Sequence, residues 1–185
     1  MTPELRARYA EPHRRYHTAT HIDDCLARLA EIADPGEAAQ RVLTWAIWWH
    51  DAIYDPTRAD NEAASAELAR RDLPDLGASP AEVDEVARLI LLTAGHSVAA
   101  GDRLGALMVS IDLSILGAAP AIYDAYAAAV RAEYAHVPAP AFRAGRSAVL
   151  QRFLAAPAIF AYPGFAARFE AAARANLARE LATLT

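Results

Sequence analysis

An adjacent imidazole and carboxylate, His50-Asp51, sit in the stretch Trp45 to Asp55, which is otherwise mostly apolar and aromatic. Ionisable groups are costly to bury unless they are paired or bind a metal, so two metal-ligand types inside such a run need a partner. Asp112 poses the same question within the nearly uninterrupted apolar segment Met108 to Leu116. Its partner could be an arginine or a cation. His17 and His21 stand four residues apart. On a helix that spacing puts both rings on one face, one able to bind a metal and the other close enough to move a proton. Taken alone, the pair reads better as two surface or partly buried histidines. His21, His50, Asp51 and Asp112 together offer two nitrogens and two carboxylates. That mixture suits manganese, iron, cobalt, nickel or zinc better than calcium. Such an ion lowers the pKa of a bound water toward neutrality and polarises a phosphoryl oxygen, which is the chemistry of phosphoester hydrolysis.

Positioning these residues requires helices. Alanine dominates the hydrophobic 55% of the 185 residues, and aromatics make up only 8%. This composition favours a single all-α domain over 1–185, and no alternating strand pattern or repeat interrupts it. Pro3 to Ala10 reads as a short helix with Thr2 as its N-cap. The next is expected from about Arg14 to Ala33, with Ile22, Cys25, Leu26, Leu29 and Ile32 at helical spacing, closed by Asp34-Pro35-Gly36. Glu37 to Trp49 should carry Val42, Leu43, Ala46, Ile47 and Trp48 inward and end at His50-Asp51. Adjacent helical side chains diverge by about 100°, at ~3.6 residues per turn, so His50 and Asp51 share an ion only where the helix ends or bends.

Tyr54 to Ala59 reads as a loop, and Asp60 as the N-cap of Asn61 to Arg71. Ser79-Pro80 with Glu82 opens a helix through Val83, Val86, Leu89, Ile90 and Leu91 to Gly95-His96. Helices are further expected from Gly101-Asp102 to Leu116, from Ala121 to Ala135, from Ala141 to Leu154 and from Pro163 to Leu184.

Net charge is −5, which argues against nucleic-acid binding, since that needs a basic face. The single cysteine, Cys25, reads as a small buried hydrophobe. The charged start to Arg15 lacks an apolar secretory core, and no uncharged run is long enough to span a bilayer. The expectation is a cytoplasmic protein that takes no nucleic acid and enters no membrane, with alanine-rich helices suited to a homodimer surface.

The ligand pattern resembles the HD superfamily of metal-dependent phosphohydrolases. That family's pattern is a histidine, an adjacent His-Asp and a distant aspartate, matched in order by His21, His50-Asp51 and Asp112. Further matching features run along the chain: Tyr16-His17, Ala52 to Asp55, Asp60-Asn61-Glu62, Ser65-Ala66, Leu113 to Gly117, Arg131 to Tyr134, Gly145-Arg146 and Asn176-Leu177. The resemblance implies an HD-type helical domain, a divalent transition metal on those four residues, and a small phosphorylated substrate such as a nucleotide. The Tyr16-His17 to His21 spacing is also similar to that of helical cyclic-nucleotide phosphodiesterases, which implies His17 as a general acid. Their substrate specificity is not carried over.

Weaker candidates surround this set. Asp55, Asp60, Asn61 and Glu62 could order metal waters or bind a second ion. Glu62 has two readings, a catalytic one and a first-turn helix stabiliser. His96 is either an additional ligand or a helix-terminal cation, and Arg14, Arg15 and Arg146 could hold a phosphate. His13 and His136 receive no role. Two other functions fit the sequence: a di-iron HD-type oxygenase, which needs His96 or a residue from Asp55 to Glu62 as a further ligand, and a non-catalytic metal- or nucleotide-binding module.

Overall fold

The computed structural model describes residues 2–33 and 35–184. The fold is all-α, with no strand among the described residues. The helices are α1 (Pro3–Arg8), α2 (Ala19–Ala30), α3 (Glu37–Trp49), α4 (Asn61–Asp72), α5 (Pro80–Thr93), α6 (Arg103–Asp112), α7 (Pro120–Glu133), α8 (Ala139–Ala155) and α9 (Pro163–Leu184). Short 3-10 turns occupy Pro74–Leu76 and Leu113–Gly117. Asp34, part of the expected stop after α2, lies outside the described residues. No single helix among the described residues is long and apolar enough to cross a membrane. The chain divides into two compact units, Met1–Asp112 and Leu113–Thr185.

In the first unit α3 is the central element, packed against α2, α4, α5 and α6. It buries Val42, Leu43, Ala46, Ile47 and Trp49. Trp49 fills the core position expected of Trp48, which is only half-buried, and the Trp49 indole N–H donates to Asp72 Oδ2 at 3.3 Å. The α5 start is as the sequence indicates. Ser79 and Glu82 form a capping box, which satisfies two helix-end donors at once. Leu91 is 46% exposed, because the buried face of α5 runs through Val83, Val86, Ala87, Leu89, Ile90 and Thr93. The Asp102 carboxylate accepts from Gly105 N–H at 2.9 Å. From Gly105 to Ile111 every residue of α6 is buried. A Cβ at Gly105 would come within 2.8 Å of Leu92 Cδ1, so glycine permits this close approach of α5 and α6.

The helix expected to reach Leu116 stops at Asp112 and tightens into the 3-10 turn. In the second unit that turn packs on α7 and α9. The Asn176 amide donates to the carbonyls of Leu116 and Ala118, both at 2.9 Å, taking up acceptors that would otherwise be buried and unsatisfied. Arg146, a phosphate-binding candidate in the sequence, donates to Glu180 through Nε at 2.8 Å and Nη2 at 2.9 Å. The Tyr123 hydroxyl donates to Glu180 at 2.5 Å. Arg146 therefore serves as half of a structural ion pair.

Candidate metal centre

The chain from Arg14 to Thr18 is not helical, contrary to expectation, and α2 begins only at Ala19. The cause is Arg14, whose residue is 3% exposed. Its guanidinium donates through Nη1 to the carbonyls of His17 at 2.9 Å and Asp51 at 2.8 Å. Nη2 donates to the Ala52 carbonyl at 3.2 Å, and Nε to Glu11 Oε2 at 3.0 Å. The rings of Tyr9 and Tyr54 lie 5.2 and 5.5 Å from it. A helix starting at Arg14 would use the His17 carbonyl for its own ladder, so the buried cation wins that acceptor. Arg14 is thus a clamp joining the segment before α2 to the end of α3, with its donors committed to the protein and not to a phosphate.

His50 is the C-cap of α3, its N–H still bonded to the Ala46 carbonyl at 2.9 Å. Asp51 follows where the helix has ended, which lets the two neighbouring side chains converge. His50 Nδ1 donates to the Ile47 carbonyl at 2.8 Å, so Nε2 faces inward. The His21 ring, on the first turn of α2, has Nδ1 3.0 Å from the Tyr16 hydroxyl, and its Nε2 also faces inward. Asp112 arrives from the last residue of α6.

His21 Nε2 lies 3.2 Å from His50 Nε2, 3.6 Å from Asp51 Oδ2 and 3.2 Å from Asp112 Oδ1. His50 Nε2 lies 3.1 Å from Asp51 Oδ2 and 3.6 Å from Asp112 Oδ1. Ligands at about 2.1 Å from one ion are separated by roughly 3.0 Å at octahedral angles and 3.4 Å at tetrahedral ones. Three of these separations, 3.1 to 3.2 Å, fall in that range, and the two of 3.6 Å lie just above it. His21, His50 and Asp51 are close enough to one another to hold a metal ion, and so are His21, Cys25 and Asp112.

The charges are strongly coupled. Burial opposes ionisation of Asp51, but the imidazoles of His50, His17 and His21 outweigh it and hold the carboxyl well below its usual range. Asp112 is likewise held low, burial being overcome by hydrogen bonds from His21, His50 and His96. For His50, burial pulls toward the neutral form, yet Asp51 and Asp112 draw its pKa well above the ordinary value. The site therefore attracts positive charge, as imidazolium or as a metal cation.

Other sequence candidates divide around this cluster. His17 precedes α2, so no helical turn links it to His21. Its ring stacks on Tyr54 with centroids 4.0 Å apart and lies 6.1 Å from the His21 centroid. His96 Nε2 sits 3.1 Å from Asp112 Oδ2. Glu62 is in the first turn of α4 and half-buried, and it is not among the groups whose donor atoms converge. Asp55 accepts from Thr57, and its backbone pairs with the Asn61 amide at 3.0 and 2.9 Å. Asp60 begins α4 without a side-chain cap bond and pairs with Arg58 instead. The Ser65 hydroxyl accepts from Ile53 N–H at 3.0 Å and donates to the Ile53 carbonyl at 3.2 Å. These residues brace the loop that follows Asp51.

Cys25, one turn after His21, is buried with Sγ 3.8 Å from both nitrogens of that ring. The sulfur lies beside the ring, and with His21 and Asp112 it forms the second group of atoms close enough to one another to hold a metal ion. Its thiol pKa is pushed up by burial and by Asp112 and Asp51. Tyr16, Arg14 and Ser65 are visible in the sequence as motif members or a phosphate candidate, but their bracing roles appear only through their tertiary partners.

No protein-family model matches this chain, no curated protein matches it, and no solved structure matches it.

Proposed function

We propose that this chain is a cytoplasmic metal-dependent phosphohydrolase of HD type acting on a small phosphorylated compound such as a nucleotide. The observation that carries the reading is the approach of His21 Nε2 and His50 Nε2 to each other and to Asp51 Oδ2 and Asp112 Oδ1, at 3.1 to 3.6 Å. These residues would hold a divalent manganese, iron, cobalt, nickel or zinc ion, since mixed imidazole and carboxylate donors suit those metals. Such an ion supplies an activated water and polarises a phosphoryl oxygen when bound.

The chain's own groups do the rest. The Ile47 carbonyl and the Tyr16 hydroxyl fix the ring orientations of His50 and His21, as outer partners of metal-binding histidines commonly do. Arg14 fixes the backbone that presents Asp51. His17 stands beside the cluster, stacked on Tyr54 and half-buried. It is suited to donate a proton to a leaving oxygen, a role requiring a titratable group near neutral pH.

A panel of phosphomonoesters and phosphodiesters, assayed with each metal added back, tests this. The expected result is turnover by the wild type and none by a folded Asp51→Ala variant. Full activity in Asp51→Ala would sink the assignment. A second reading, a di-iron oxygenase, has one contact in its favour, His96 against Asp112 Oδ2. Two irons per chain and oxygen consumption would select it.

A further inference from the structure

Asp112 uses its two oxygens for different partners. Its contacts with His21 and His50 are through Oδ1, at 3.2 and 3.6 Å, and its contact with His96 is through Oδ2, at 3.1 Å. A carboxylate on a short side chain turns about one soft torsion, so whatever holds Oδ2 decides where Oδ1 points. His96 reaches Oδ2 from an unusual backbone. It has φ of +54°, the one positive φ at a non-glycine among the described residues. Its N–H still closes a helical bond to the Leu92 carbonyl at 2.8 Å. Helices usually assign this left-handed end position to glycine or asparagine. Gly95 is immediately before it, yet the chain puts histidine at the left-handed position. Backbone outliers at non-glycine residues cluster at functional sites, and this one carries an imidazole onto a candidate ligand.

We infer that His96 is a positioning residue, donating its Nε2–H to Asp112 Oδ2 so that Oδ1 is presented to the ion held by His21, His50 and Asp51. The inference rests on the metal-centre reading above and adds to it a determinant of affinity outside the ligand set. The other donors have comparable outer partners: Ile47 for His50 and Tyr16 for His21. Loss of such a partner typically weakens metal binding ten- to a hundred-fold.

The test titrates cobalt(II) into the metal-free full-length chain, following the visible absorption of the bound ion, for wild type, His96→Ala and His96→Gln. Glutamine places an amide N–H near the position of the imidazole Nε2. The expected result is one cobalt per chain in all three, with affinity reduced about ten- to a hundred-fold in His96→Ala and largely restored in His96→Gln. Circular dichroism and melting of the metal-free proteins accompany the titration, and His96→Gln carries the test should His96→Ala fold poorly. Wild-type affinity in His96→Ala overturns the inference, as does an equal loss in both variants. Two cobalts in the wild type with one lost in His96→Ala would make His96 a ligand and overturn it too. A wild type that binds no cobalt overturns the metal reading itself.

Discussion

Metal binding at this centre should release a proton, and the structure says which one. His50 Nδ1 already donates to the Ile47 carbonyl, so the proton that makes the ring cationic sits on Nε2, the atom facing Asp51 and Asp112. Burial works against that charge, but the two carboxylates raise the His50 pKa well above its usual value. An ion must displace the proton to reach the lone pair. At pH values below that raised pKa the metal-free protein therefore carries His50 as imidazolium, and at least one proton leaves per ion bound. Apparent affinity should then rise by about tenfold per pH unit, or about 1.4 kcal/mol. Isothermal titration calorimetry with manganese or zinc, in two buffers of different ionisation enthalpy, reads both numbers. An affinity flat across that range, with heats independent of buffer, would refute the argument. Folding of the metal-free protein has its own signs. The raised His50 pKa contributes stability that is complete below its unfolded value of about 6.5 and is lost as pH rises through the folded value. The depressed Asp51 and Asp112 contribute stability present above about 3.9 and lost as pH falls toward their folded values. Metal-free protein is thus most stable in mildly acidic solution, whereas metal binding strengthens as the solution becomes more alkaline.

Arg14→Met should destabilise the protein by about 3–5 kcal/mol, because it strands the carbonyls of His17, Asp51 and Ala52 beside Glu11. Urea denaturation reads this directly, and a loss below about 1 kcal/mol would mean the clamp is not structural. His17→Asn should retain the metal and lower turnover by about 10²- to 10⁴-fold, with elemental analysis and steady-state kinetics run on one preparation. Lost metal in that variant would place His17 among the ligands instead.

Much of the fold was legible because its signals are local. The Ser79 and Glu82 capping box, the proline at the start of α1 and the apolar run of α3 each announce themselves within a few residues. His50, Asp51 and Asp112 stood out for a different reason, as ionisable residues in apolar surroundings that require an explanation, whereas His21 was marked only by its spacing to His17 and by the family resemblance. What escaped the sequence depends on distant partners. The start of α2 moved to Ala19 because buried Arg14 takes carbonyls from both sides of the site. Trp49 turned inward in place of Trp48 through a shift in buried face that periodicity alone does not resolve. Arg146 found Glu180, 34 positions away, and so left the set of phosphate-binding candidates. The Asp55 to Asn61 stretch, rich in possible ligands, is spent on bracing a loop.

The most direct test is the metal content of the protein purified without added metal or chelator, measured by elemental analysis beside Asp51→Ala and Asp112→Ala. The expected content is about one manganese, iron, cobalt, nickel or zinc ion per chain, held at His21, the residue shared by both groups of converging donors. Both variants should lose it while keeping their helical circular dichroism. A wild type that carries no metal and takes up none when it is added back would contradict the account.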